Sequence, residues 1–294
     1  MIASGPHPLM ERLRRRVLSP LFDRLGYDLV PAVPDWTHRP TSAPEIETLI
    51  AAACASLTRD LAAAALPPPP GGVRDAVETF WALIPQAPVR QRRGGSGFNG
   101  ALQLYVAMRA LQPRAVIESG VFRGLTTWVI RQACPDALIL CHDPDLSGLR
   151  YRDARARYSR DDWSTADLSD LDPAETVAFF DDHVAQARRI LEARDRGIAR
   201  LLFDDDAAGH RIHAHGGPAH PTIAMIAARA DRGGAEPIRW SRNGRLFTQA
   251  ADDPLLREAG ASIARLHPFD DLHGATGYSP ARLTSVTLDL GARR

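Results

Sequence analysis

The stretch that most constrains this chain is Arg114 to Asp145, RAVIESGVFRGLTTWVIRQACPDALILCHDPD. It reads as strand, glycine-bearing turn, helix and strand. The apolar run Ala115-Val116-Ile117 ends on Glu118, and Gly120 and Gly124 bracket the turn, where a missing Cβ permits positive φ or close backbone approach. Thr126 to Ala133 carries the helix, Pro135-Asp136 ends it, and Ala137 to Cys141 forms a second buried strand. His142-Asp143-Pro144-Asp145 then lies at that strand's carboxyl end. Open α/β sheets bind ligands beyond the carboxyl ends of parallel strands, with an acidic side chain after the second strand taking ribose hydroxyls. Asp143 or Asp145 would do that here, and the 25 residues from Glu118 to Asp143 suit one βαβ unit. The turn, E-x-G-x-x-x-G, lacks the G-x-G-x-x-G of a dinucleotide fold, because Phe122 holds the middle position. A bulky residue there disfavours a pyrophosphate, so the turn predicts a nucleoside ligand without phosphates.

The alternation continues downstream. Thr165 to Leu168 reads as a weak third strand ending near Asp167 and Asp170, and Thr176 to Phe180 as a fourth ending at Asp181-Asp182-His183. A helix over about 184–196 is stopped by Gly197, and a fifth strand, Ile198 to Phe203, ends at Asp204-Asp205-Asp206. The predicted fold class is therefore α/β and Rossmann-like, a mostly parallel sheet with helices on both faces. Ile238 to Phe247 and Leu283 to Leu290 fit an antiparallel hairpin completing the sheet edge. Upstream, helices are expected over 8–25, 43–64, 73–84 and 100–111, the second opening with the capping signal Ser42 and Glu45. The run from Leu66 through four prolines to Gly72 cannot continue a helix. It divides a helical extension, residues 1–72, from the main domain, residues 73–294. A glycine-rich loop, 91–99, precedes the helix that feeds the first strand.

Two successive parallel strands ending in acidic clusters crowd carboxylates on one edge, and crowded carboxylates repel unless neutralised. A hard divalent cation, Mg²⁺ or Mn²⁺, suits such oxygen ligands and would lower the pKa of an acceptor hydroxyl. Asp182, Asp205 and Asp206 are the candidate ligands, with Asp181 as a substitute for Asp182. The plainer reading is helix N-capping by these aspartates, worth about 0.5 to 2 kcal/mol each. His183, beside the proposed metal, is the candidate general base, since an imidazole accepts a proton near neutral pH. Its competing role is a structural hydrogen bond. His210, His213, His215 and His220 crowd one short glycine-containing segment; their spacing gives no regular ligand face, and an acceptor-side loop suits them better than a zinc site.

The segments VIESGVFRGLTTW at 116–128, FFDDH at 179–183 and LLFDDD at 201–206 resemble the class I S-adenosylmethionine-dependent methyltransferases. The likeness covers about residues 90 to 290. It is nearest to the metal-assisted sugar and macrolide O-methyltransferases and the related cephalosporin-hydroxylase-like proteins. The resemblance implies S-adenosylmethionine as cofactor, with Glu118, Gly120, Gly124, Thr126 and Asp143 around it and Asp167 at the adenine amino group. It also implies one metal-binding aspartate after the fourth strand and an acidic pair after the fifth. The loop over 91–99 would close over cofactor or substrate, and the acceptor would be a hydroxyl of a sugar or glycosylated small molecule. The missing middle glycine departs from the commonest methyltransferase turn.

Composition narrows the partners. A net charge of +1 over 294 residues argues against a general nucleic-acid binder and fits a small-molecule acceptor. Three cysteines, Cys54, Cys134 and Cys141, form no even disulfide framework, and the latter two are expected in the core. No apolar run approaches the roughly 18 residues of a membrane span, and the N-terminal charges are followed by no secretory apolar core. A soluble cytoplasmic protein is the expectation. The basic cluster Arg12, Arg14, Arg15 and Arg16 reads as a solvated helix face or as a contact to an anionic surface, and the alanine-rich helices offer a homo-oligomer contact. Two other function classes stay open: a metal-dependent hydrolase on the same fold, and a non-catalytic nucleoside-binding protein.

Overall fold

The computed structural model describes residues 8–26, 42–89, 95–204, 218–230, 236–250, 252–281 and 283–291. Its centre is a seven-stranded sheet. β1 (Ala115–Ser119), β2 (Leu138–His142), β3 (Arg157–Ser159), β4 (Thr176–Phe180) and β5 (Arg200–Phe203) run parallel; β9 (Thr284–Leu288) joins β5 antiparallel, and β8 (Ile263–Pro268) pairs with β9. The spatial order is β3-β2-β1-β4-β5-β9-β8. It reverses direction between β1 and β4, the arrangement of a Rossmann-like class I methyltransferase sheet, as the sequence resemblance implies.

Each central strand reads as a nearly continuous apolar run because both its faces are covered. Val116, Ile139, Cys141, Val177, Phe179 and Leu202 point to one face. There they meet α5 (Phe98–Leu111), α6 (Leu125–Ala133), and α3 (Ala43–Ala63) with α4 (Gly72–Leu83) beyond. Ile117, Leu140, Ala178, Phe180, Leu201 and Phe203 point to the other, under α7 (Gln186–Asp195), α8 (Ile223–Ala230) and α9 (Pro254–Ala261). The N-terminal arm runs through α1 (Pro8–Leu13), a π-helical turn (Arg14–Leu18) and α2 (Ser19–Asp23). A short α10 (His273–Thr276) lies between β8 and β9.

The predicted capping box starts α3: the Glu45 amide donates to Ser42 Oγ, and the Ser42 amide to Glu45 Oε2 at 2.9 Å. Its Leu49, Ala53, Leu57 and Leu61 recur at four-residue spacing and enter the same core as α5 and α6. Two buried polar side chains on α5 and α3 are tied to β8 and the segment that joins it to β9. Gln103 Nε2 donates to the Asp270 carbonyl at 2.7 Å while its Oε1 accepts the Leu283 amide at 2.9 Å. Asp60 takes the Asp270 amide and lies 3.0 Å from His267 Nε2. Cys134 and Cys141 are buried free thiols.

Three expectations are corrected. The third strand is Arg157–Ser159, whereas Trp163–Thr165 is a 3-10 turn and the Thr165–Leu168 stretch is no strand. A three-residue edge strand with polar side chains carries no hydrophobic pattern to read. Ile238 to Phe247 is not part of the main sheet: β6 (Ile238–Arg242) and β7 (Arg245–Gln249) form a separate hairpin around Asn243-Gly244, both at positive φ as a two-residue hairpin turn requires. The antiparallel edge is made by β8 and β9 instead. The helix expected from residue 184 begins at Gln186, because Ala185, at ψ 115, still lies outside the helical region. No described helix is long and apolar enough to cross a membrane.

Candidate functional site

In a doubly wound sheet the ligand crevice opens where the strand order reverses, outside the carboxyl ends of the strands. Here that point lies between β1 and β4. The last two residues of β1 point to opposite faces, as strand geometry requires, and so meet different surroundings.

Glu118 turns towards α6 and is fully buried. Thr126 Oγ1 donates to Glu118 Oε1 at 2.5 Å, Thr127 Oγ1 to Oε2 at 2.6 Å, and Cys141 Sγ to Oε2 at 3.3 Å. Burial pushes the Glu118 carboxyl up to about 7, against the opposing pull of these three hydrogen bonds. Glu118 and Thr126 thus fasten the first turn of α6 to β1, beneath the glycine turn rather than on its open side. Gly120 (φ 92) and Gly124 (φ 86) have backbone reasons of their own. A Cβ on Gly120 would overlap the Asp181 carbonyl, and one on Gly124 the Tyr151 carbonyl. Between them Phe122 holds φ 49, an uncommon backbone for a bulky side chain, and the residue is 44% exposed.

Asp143, just past β2, fixes that turn. Its Oδ2 accepts the Val121 and Phe122 amides, both at 2.8 Å, and its Oδ1 accepts the Asp145 amide at 2.8 Å. An ionised carboxylate offers about four acceptor positions, so one remains for a ligand hydroxyl. Asp145 Oδ1 takes the Ser147 amide and hydroxyl, which hold this exposed carboxyl below its ordinary range. The two acids the sequence offered for a ribose are therefore adjacent at the edge.

Ser119 turns towards α7. Its hydroxyl donates to Asp182 Oδ2 at 2.6 Å, the same oxygen that accepts Arg189 Nε at 2.8 Å; Asp182 Oδ1 accepts the Val184 amide at 3.1 Å. Arg189 is 2% exposed and also forks onto both oxygens of Asp162, at 2.9 and 3.0 Å, and onto Glu192 at 2.7 Å. The Arg189 hydrogen bonds hold the Asp162 carboxyl well below the usual carboxylate range. One buried guanidinium so bridges three carboxylates on the side of the edge where the sequence predicts a metal, and Arg188 adds a second cation to Glu192 and Asp162. Sequence reasoning missed Arg189. A signal was present: it lies between Ala187, Ile190 and Ala193 on the buried side of α7, where a charge requires partners.

His183 is exposed at the end of β4, next to Asp182. Asp204, past β5, accepts Ser96 Oγ at 2.6 Å, which brings the described end of the glycine-rich loop over the edge. Asp205, Asp206, His210, His213 and His215 lie outside the described residues, and His220 is exposed in a bend. Asp167 is not gathered with the others. It faces grooves with Pro173, Thr176 and Ile198 on one side and His142 and Asp161 on the other, and accepts the Ser169 amide. The acids that follow the true third strand are Asp161 and Asp162. Among the described residues no group of three His, Cys, Asp or Glu is arranged to hold a metal ion.

No family model matches the chain, and no curated protein matches it. Solved structures do. The O-methyltransferase TomG from Streptomyces achromogenes, in complex with SAM, aligns over 66% of this chain and 82% of its own at 16% identity and a TM-score of 0.39. An SAH-bound methyltransferase from Podospora anserina, PaMTH1, aligns over 73% and 88% at 15% identity and a TM-score of 0.40. The match to a structure described as "cmcI-N160 SAH" spans 38% of this chain and 63% of the other, at 16% identity and a TM-score of 0.33. The strand order β3-β2-β1-β4-β5-β9-β8 by itself defines the fold.

Proposed function

We propose that this protein is an S-adenosylmethionine-dependent O-methyltransferase acting on a hydroxyl of a small, sugar-like molecule. The observation that carries the reading is the Asp143 clamp on the glycine turn at the point of strand reversal, which leaves one acceptor position of a half-buried carboxylate without a hydrogen-bond donor. Asp143 and Asp145 would accept the ribose hydroxyls, and the backbone of 120–124 would line the nucleoside. Glu118 and Thr126 serve by positioning that backbone. The cofactor, when bound, supplies a methyl group already activated on a sulfonium, so orientation of the acceptor is most of what the protein must add. His183, exposed beside Asp182, would take the proton from the acceptor hydroxyl.

A divalent metal on Asp182 does not fit this site. Its Oδ2 is taken by Ser119 and by both Nε and Nη2 of Arg189 and its Oδ1 by the Val184 amide, and a dication on the position left would stand beside the Arg189 guanidinium. No step is routed through a metal. Any metal assistance would fall to Asp205 and Asp206 without it. A Mg²⁺ titration checks this: a binding heat abolished by Asp182→Ala would put Asp182 among the ligands and contradict the reading.

The activity is tested with methyl-labelled S-adenosylmethionine over a panel of sugars and glycosides. The expected result is label in an O-methyl product, with His183→Ala lowering kcat by about a hundredfold, in the range of general-base contributions. Cofactor binding with no transfer to any acceptor would leave a nucleoside-binding protein in place of an enzyme.

A further inference from the structure

The β6–β7 hairpin stands apart from the main sheet but not from its functional edge. Trp240 Nε1 donates to the Pro218 carbonyl at 3.0 Å, where the described chain resumes after Asp204. The Ile223 amide that opens α8 donates to Gln186 Oε1 at 2.7 Å, at the start of α7. The base of the hairpin is thereby joined, through Pro218 and α8, to the start of α7, which follows the carboxyl end of β4.

Cross-strand partners share a face, so the register Ile238↔Gln249, Trp240↔Phe247 and Arg242↔Arg245 lines one face from base to tip. Ile238 and Trp240 are buried at the base. Phe247 stacks on Trp240, with ring centroids 5.6 Å apart and planes 20° apart, and is 39% exposed. At the tip Arg242 and Arg245 face each other across the two-residue turn, and among the described residues neither has an acidic partner. Like charges directly opposite destabilise a hairpin, and nothing in the fold of the described residues requires them there. With Asn243 and Phe247 they line an open cavity of about 510 Å³. Paired guanidiniums beside an open aromatic face suit a ligand with clustered phosphate charge and a planar ring.

The geometry points to this hairpin face as a recognition surface for a nucleoside diphosphate group on the acceptor, with the diphosphate between Arg242 and Arg245 and the base on Phe247. The inference deepens the proposed function and rests on it for the word acceptor; the anion site itself does not. It also separates the two nucleoside-type ligands: the glycine turn, with Phe122 at its centre, takes one without phosphates, and the hairpin takes one with them.

Calorimetric titration with uridine diphosphate, inorganic pyrophosphate and S-adenosylhomocysteine, each on the full chain, tests it. Arg242→Ala/Arg245→Ala is expected to weaken both phosphate probes by about a hundredfold, roughly tenfold for each charge-assisted contact. Phe247→Ala should weaken uridine diphosphate by about tenfold through lost stacking and leave pyrophosphate unchanged. S-adenosylhomocysteine should bind all three proteins alike, which also reports their folding. Wild-type protein that binds S-adenosylhomocysteine but neither phosphate probe overturns the inference and spares the methyltransferase reading. Equal phosphate binding by wild type and the double variant does the same. Arginine-dependent pyrophosphate binding without S-adenosylhomocysteine binding would uphold the anion site and sink the methyltransferase reading.

Discussion

β1 and β4 are hydrogen-bonded neighbours with similar ends, each a buried apolar run closing on a carboxylate. Their carboxylates live in opposite electrostatic worlds. Glu118 is held by two hydroxyls, a thiol and no cation, and burial raises its pKa to about 7. Asp182 is held by a buried guanidinium that it shares with Asp162, whose pKa the same arginine depresses. The difference follows from one residue of strand pleat. Glu118 points to the face where α6 offers threonines, and Ser119 to the face where α7 offers Arg189. An acidic residue at a strand end is therefore no guide to its charge until its face is known.

The largest expected effect removes the cation from the second environment. Arg189→Met leaves Asp182 without its cation, with Asp162 and Glu192 held only by the half-exposed Arg188, and breaking a buried charge network of this kind costs on the order of 3–5 kcal/mol. Urea unfolding measures it. A loss below about 1 kcal/mol would mean the network is solvated like a surface pair, and the contrast would collapse.

The next effect reads the first environment through pH. The Glu118 pKa is raised above its ordinary 4.5, so the native state holds a proton that the unfolded chain releases between 4.5 and about 7. Its contribution is fully present below pH 4.5 and is lost as pH rises through 7, up to about 3 kcal/mol. Glu118→Gln should flatten that slope. Asp162 works in the other direction: its stabilisation is present above 3.8 and is lost as pH falls below that value. Stability curves of wild type and Glu118→Gln that run parallel from pH 4.5 to 7 would show that Glu118 ionises normally.

The smallest effect on stability belongs to the edge between them. Asp143→Ala frees the Val121 and Phe122 amides at a partly exposed site, for a loss of about 1–2 kcal/mol. Hydrogen exchange at those two amides should speed up while the β1 core stays protected. Unchanged exchange would show that the turn is held by Gly120 and Gly124 alone.

The sequence carries the central βαβ unit, the fourth and fifth strands and the acidic ends at the carboxyl edge, because buried parallel strands are apolar throughout. It does not carry β3, whose three residues are polar and sit at the sheet's rim. That slip moved the expected adenine-side acid to Asp167, while Asp161 and Asp162 follow the strand. Nor does it show which face a strand-end acid takes, and so the crowding of Asp182 reads as a demand for a metal when Arg189, seven residues on, supplies the charge. The hairpin's Asn-Gly turn is visible in the sequence; its separation from the main sheet depends on β8 pairing with β9, a contact between segments with no pattern to link them.

The most direct test of the central claim is calorimetric titration of wild type and Asp143→Ala with S-adenosylhomocysteine. The Asp143 clamp predicts micromolar binding to wild type and at least about a tenfold loss in the variant, from one charged hydrogen bond and a loosened turn. No binding to wild type, or equal binding to both, would contradict it.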